Sequence, residues 1–235
     1  MRISVLLAAS VLLAGCSALS GTEQRGAQLT PITPSRAAGS PSATTTGSAQ
    51  TSSTAPASGA PAPEAGAPIA EAIRWVEAAG PVDSAEFRVA LRGGVSTELG
   101  DDVAFTTPSG TSCMTDARHG SPALACLVDL ADPPRQPPDV YGVWKGGWVD
   151  FDGATVQVGS AHGDPGRFGA GQGPPLGAGR SLAFGDFRCR TDVSSLVCVN
   201  YARQSGVYYS DAGIETYGCT KVTIPPPGIG VFFDC

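Results

Sequence analysis

The sequence predicts an all-β domain, an antiparallel sandwich or partly open barrel with one short N-terminal helix, preceded by a disordered tether. Three observations lead there. All sixteen aromatic residues of the 235-residue chain lie after Ile73, so the first third has almost nothing from which to build a core. Beyond that point short apolar-polar alternations are separated by Gly, Pro and Asp turns, the pattern of half-buried strands. Six of the seven cysteines also fall there, an even number suited to a disulfide framework in an exported domain.

The chain starts with Met1-Arg2 and an apolar run from Ile3 to Ala14. A charged start followed by a run this short makes an export signal, because a bilayer span needs about 20 residues. The run ends in Leu13-Ala14-Gly15-Cys16, which resembles the lipobox of bacterial lipoproteins. That resemblance implies residues 1–15 as a signal peptide and a diacylglycerol on Cys16, holding the mature chain at the outer face of the cell membrane. Residues 16–66 form the expected tether. Of the fifty residues from Ser17 to Gly66, forty are Ala, Ser, Thr, Pro or Gly and none is aromatic. Such a segment buries too little apolar surface to offset its entropy, and its typical reach is about 40 Å. Its Ser/Thr clusters, such as Thr44-Thr45-Thr46, suit either O-glycosylation or a plain solvated spacer.

The domain is expected over residues 67–235. Pro68, then Ile69, Ile73 and Val76 at helical spacing, then Gly80, mark its one helix. Phe87, Val89 and Leu91 alternate with charged residues and read as a strand with those three on the buried face. Residues 147–158 read as a hairpin about an Asp152-Gly153 turn. Phe151 is placed opposite Ala154, and Val149, Phe151, Val156 and Val158 share one apolar face. Trp144 and Trp148 then fall on the other face, either as an aromatic binding surface or packed beneath the helix or a second sheet.

The six domain cysteines allow fifteen connectivities. Pairing Cys189 with Cys198 sets Thr191 opposite Leu196 and leaves an allowed four-residue hairpin loop, and the same logic pairs Cys113 with Cys126. Cys219 and Cys235 are what remains. The two hairpins echo each other, sharing Cys-x-Thr-Asp at Cys113 and Cys189 and an Ala-Phe pair upstream, Ala104-Phe105 and Ala183-Phe184.

Composition excludes some functions. The formal charge is -6, with 15 basic against 21 acidic residues, which argues against nucleic-acid binding. Neither Lys145 nor Lys221 follows a glycine, so there is no P-loop. Two loop histidines, His119 and His162, are the only candidates for a Ser/His/Asp site, and no nucleophile-elbow motif supports them. No metal site or cofactor is expected: the cysteines are better used as disulfides, and Asp150 and Asp152 lack the remaining ligands of a calcium loop. Residues 159–180 hold eight Gly and three Pro without completing a dinucleotide fingerprint. A loop this long is usually functional or disordered.

The residues Phe105-Thr106-Thr107-Pro108-Ser109-Gly110 before Cys113, then Cys126, the Trp148–Val158 hairpin, Pro175-Leu176-Gly177, Phe187-Arg188-Cys189 and Leu196 to Asn200 resemble a module of secreted and lipid-anchored actinobacterial proteins. With the lipobox and tether added, the whole chain is similar to mycobacterial LppI-type lipoproteins. The resemblance implies an extracytoplasmic location and a disulfide layout, and no catalytic residues. The expected function is therefore non-catalytic binding or envelope assembly, the partner being an envelope polymer, lipid or protein. The alternatives are an envelope-directed hydrolase using His119 or His162 and a lipid or glycolipid carrier. A deep apolar cavity would mark the carrier, a Ser or Asp within reach of either histidine in a cleft the hydrolase, and a shallow aromatic surface the binding module.

Overall fold

Two antiparallel meanders packed face to face make the domain, and each is pinned by a disulfide between its second and third strands. The computed structural model describes residues 59–117, 123–162 and 165–235. Cys16, the leader, nearly all of the tether and His119 lie outside them. The first meander runs through β4 (Ala104–Thr106), β5 (Ser112–Thr115), β6 (Leu124–Leu127), β7 (Trp144–Phe151) and β8 (Thr155–Ala161). The second runs through β9 (Arg180–Phe184), β10 (Phe187–Thr191), β11 (Leu196–Asn200), β12 (Ser205–Ser210) and β13 (Gly213–Gly218). In both, strands neighbouring in sequence neighbour in space, and the two-residue β1 (Gly80–Pro81) joins the second sheet parallel to β9. The last strands, β14 (Lys221–Thr223) and β15 (Ile229–Asp234), turn back and extend the first sheet beyond β8.

The two sheets share one core. Phe105, Leu124, Val149, Phe151 and Val156 face Leu182, Leu196, Val207 and Tyr209, with all four hairpin cysteines fully buried among them. Cys113 stands directly opposite Cys126, and Cys189 opposite Cys198. These pairs are bonded as expected, and Thr191 faces Leu196. Cys219–Cys235 is the third bond. It joins the end of β13, in one sheet, to the end of β15, in the other.

The shared Cys-x-Thr-Asp has a physical reading. Thr115 Oγ1 donates to Asp102 Oδ1 at 2.9 Å and accepts from the Val103 N–H at 3.0 Å, while Thr191 Oγ1 donates to the Gly177 carbonyl at 2.6 Å. Each threonine thus ties its hairpin to the segment entering its own meander. The x residues, Met114 and Arg190, point outward and are both 2% exposed, so each needs a cover. The Ala-Phe echo is not equivalent: Phe105 faces Cys113, but Phe184 faces Phe187, and Leu182 takes the place opposite Cys189.

Helix α1 (Ile69–Glu77) covers the second sheet. Ala72, Trp75 and Val76 bury against Val197, Val199 and Tyr217, with Ile69 and Ile73 at the margin. Arg190 lies 3.7 Å from the Trp75 ring and donates to the Trp75 carbonyl at 2.6 Å, meeting one of the carbonyls that the end of a helix leaves open. Packing begins before the compositional boundary at residue 67. The Trp75 indole N–H donates to Ala60 O at 2.8 Å and the Tyr217 hydroxyl to Pro63 O at 2.7 Å. Carbonyls three residues apart match the repeat of an extended proline helix.

A hairpin of β2 (Val89–Arg92) and β3 (Val95–Glu98), with a 3-10 turn at Gly166–Ala170, covers the first sheet. The expected alternation at Phe87–Leu91 is corrected here. Phe87 belongs to a 3-10 turn, Ala90 is the residue with no exposure, and Leu91 is 51% exposed. Small Ala90 lets the hairpin settle onto Ala104, Ala125 and Met114. The β7–β8 register is also two residues from the expected one: Phe151 faces Val156 and Val149 faces Val158, because Asp152 Oδ1 accepts from the Ala154 and Thr155 amides and draws the turn tight. A shift of two leaves the faces unchanged, so the apolar face is the expected one.

Candidate functional site

The outer face of the first sheet carries the site. The hairpin cover and the 3-10 turn leave a cleft of about 600 Å³ between them. Strand alternation aims Met114, Trp148 and Asp150 outward into this layer, since their neighbours Cys113, Val149 and Phe151 fill the core. The glycine-rich segment makes the cover possible. A Cβ on Gly171, whose φ is +112°, would meet the Leu91 carbonyl, and one on Gly173 would meet the Ala104 backbone. Leu91 and Gln172 then pair backbone to backbone, so these glycines serve close packing.

Trp148 forms the floor and is 3% exposed. His162 stacks on it at 3.6 Å with 21° between planes, Phe168 meets its edge at 5.2 Å, and its indole N–H donates to Asp150 Oδ2 at 2.8 Å. Trp144 is half-buried, donates to Pro134 O at 2.7 Å, and lies against the Cα positions of Gly159 and Gly230. Of the two alternatives for Trp144 and Trp148, an aromatic binding surface or a packed pair, the structure has the packed one, with the β2–β3 hairpin and the 3-10 turn as the cover over Trp148 in place of the helix or a second sheet. Both stand on the outer face, as their positions implied, but each is packed and hydrogen-bonded.

Polar groups converge around this floor. Asp102 is 8% exposed, and its Oδ1 accepts from Thr115 Oγ1 and from the Ala117 N–H, both at 2.9 Å. Arg167 donates to the Ala123 carbonyl, and its Nη2 lies 3.8 Å from Asp150 Oδ1, which is buried and has no hydrogen-bond partner. Glu98 and Asp116 stand at the lining too, and the Lys145 ammonium lies 5.4 Å from the Trp148 ring. Ser160 Oγ is 2.7 Å from His162 Nε2. Ser160 does not line the cleft, while His162 does.

Sequence reasoning singled out His162 and Trp148 and placed Asp150 on the right face. It missed Asp102, Glu98 and Arg167, whose elements meet only through tertiary packing. Among the described residues no group of His, Cys, Asp or Glu is arranged to hold a metal ion. No family model, no curated protein and no solved structure matches the chain.

Proposed function

We propose that the protein is a lipid-anchored, extracytoplasmic binding module that takes a small polar ligand in the cleft between the first sheet and its hairpin cover. The carrying observation is the convergence of the buried Asp102 and the half-buried Asp150 and Arg167 with an aromatic floor in one cavity of ligand size. The lining favours this over a lipid carrier, which needs an apolar cavity. The anchor rests on Leu13-Ala14-Gly15-Cys16 and on the likeness to LppI-type lipoproteins set out above. Equilibrium dialysis of the full chain against a small-molecule extract of the envelope tests the reading. Wild type is expected to retain a compound that Thr97→Phe, which fills the cleft from an exposed strand position, releases. Equal retention by both proteins, or none by either, would refute it.

The Ser160–His162 contact supports a second reading, a hydrolase with Ser160 as nucleophile and His162 as base. Its requirement is turnover. A panel of fluorogenic esters and amides hydrolysed by wild type and not by Ser160→Ala would favour it; equal rates for the two proteins would remove it.

A further inference from the structure

We infer that the Cys219–Cys235 bond is a thiol–disulfide exchange site, opened by a dithiol from outside the chain, and that its opening frees the β14–β15 hairpin while both meanders stay closed. This goes beyond the binding reading and does not depend on the cleft. Exchange requires a thiolate to reach a sulfur, so access decides which bond reacts. Cys113, Cys126, Cys189 and Cys198 are fully buried in the core between the sheets. Cys219 and Cys235 are both exposed. The chemistry closes in two exchanges. A thiolate of the dithiol attacks one sulfur, the Cys219–Cys235 bond breaks, and the other cysteine leaves as a thiolate, giving a mixed disulfide. The dithiol's second thiol, once deprotonated, attacks the dithiol's own sulfur in that mixed disulfide and releases the remaining cysteine. The dithiol ends oxidised to a disulfide, and Cys219 and Cys235 end reduced.

What the bond holds is an element with little else to hold it. Strands β5, β6, β10 and β11 bury nearly all of their residues, whereas no residue of β14 or β15 is buried. Val231 and Phe233 touch the shared core and are only partly covered there, and Val222 and Ile224 are exposed. Within the sheet β14 pairs with β15 alone, so the hairpin is attached by the β15–β8 ladder and, through residues 219–220, to β13. A two-stranded hairpin is marginal by itself. Closing the loop between cysteines 16 residues apart therefore supplies a large share of its local stability. Once the bond is open, the hairpin can leave the edge of β8. Each buried bond instead joins directly opposed residues of two paired strands within one meander, which the event leaves in place.

Incubating the native full-length chain in detergent with dithiothreitol, quenching with a maleimide and mapping the label by peptide mass spectrometry tests the inference. Cys219 and Cys235 are expected to be labelled roughly a hundredfold faster than the four buried cysteines. Amide hydrogen exchange of the chain so opened is expected to quicken about a hundredfold over residues 221–234 and to stay unchanged in β5, β6, β10 and β11. The double variant Cys219→Ser, Cys235→Ser carries no label and is expected to show the same faster exchange over residues 221–234. Equal labelling of all six cysteines, or no labelling of Cys219 and Cys235 until denaturant unfolds the chain, would overturn the exchange site. Protection of residues 221–234 that survives in both the opened chain and the double variant, or that is lost together with protection of the four pinned strands, would overturn the release of the hairpin.

Discussion

Tyr209 shows how closely this domain is fitted around its polar atoms. Its side chain fills the shared core at 1% exposure, and its hydroxyl has no hydrogen-bond partner. Burial, reinforced by the Asp150 charge, pushes the phenol far above its ordinary value of 10.0. Tyr209→Phe removes an orphan hydroxyl without changing the ring, so unfolding in denaturant is expected to show a gain of about 1 kcal/mol. The pH dependence has a definite sign. The fold holds the phenol protonated, so its share of stability is complete below pH 10 and is lost as pH rises above that value, where the unfolded chain ionises. Alkaline unfolding is expected to be shallower in the variant. Trp148 belongs to the same scale: with its ring between His162 and Phe168, Trp148→Ala is expected to cost about 3 to 5 kcal/mol, whereas loss of a surface platform would leave the unfolding midpoint almost unmoved. Local chemistry makes Trp148 legible in the sequence, because alternation places it opposite Val149. Asp102 has no such signal, and Arg167 stands in the glycine-rich segment 159–180, whose composition singles out no one residue; only the hairpin and the 3-10 turn bring the two to one cavity.

At the scale of elements, each hairpin was readable where it is closed by its own residues. The pairing of Cys189 with Cys198 follows from turn length alone, and the structure has it. Replacing both by Ala is expected to lower stability by about 2 to 4 kcal/mol, measured by denaturant unfolding, since the bond restricts the unfolded chain. Where an element depends on a distant partner, the sequence misleads. The run Phe87–Leu91 alternates as though Leu91 were inward, yet contact with Ala104 and Met114 selects the methyl of Ala90 instead, and the backbone turns over. The strap at Ala60–Pro63 is another such case. Its Ala-Pro composition is that of the tether, and what fixes it is two donors on α1 and β13. Tyr217→Phe removes one, worth about 1 kcal/mol, so limited proteolysis at residues 60–64 is expected to accelerate about fivefold with the core intact. An unchanged cleavage rate would show that the strap is held by other contacts.

For the molecule as a whole, the two covers lie on opposite sides of the sandwich. Helix α1 and the strap cover one sheet, the β2–β3 hairpin covers the other, and the Cys219–Cys235 bond staples the sheets together at the end of the chain. The chain therefore enters the domain at Ala60 on the helix side, away from the cleft. Replacing the anchor residue, Cys16→Ser, is expected to move the protein from the carbonate-washed membrane fraction to the soluble one; retention in the membrane would contradict the lipoprotein reading. The fold class was legible because sandwiches are written in alternation and turns. The cleft was not, because it is made where a hairpin and a glycine-rich crossing lie down on a sheet. Its most direct test is the indole N–H resonance of Trp148, which donates to Asp150 at the cleft floor, followed in the full chain as the envelope extract is titrated. A saturable shift in wild type that disappears in Thr97→Phe is the outcome this account requires, and an indole resonance that stays fixed throughout would contradict it.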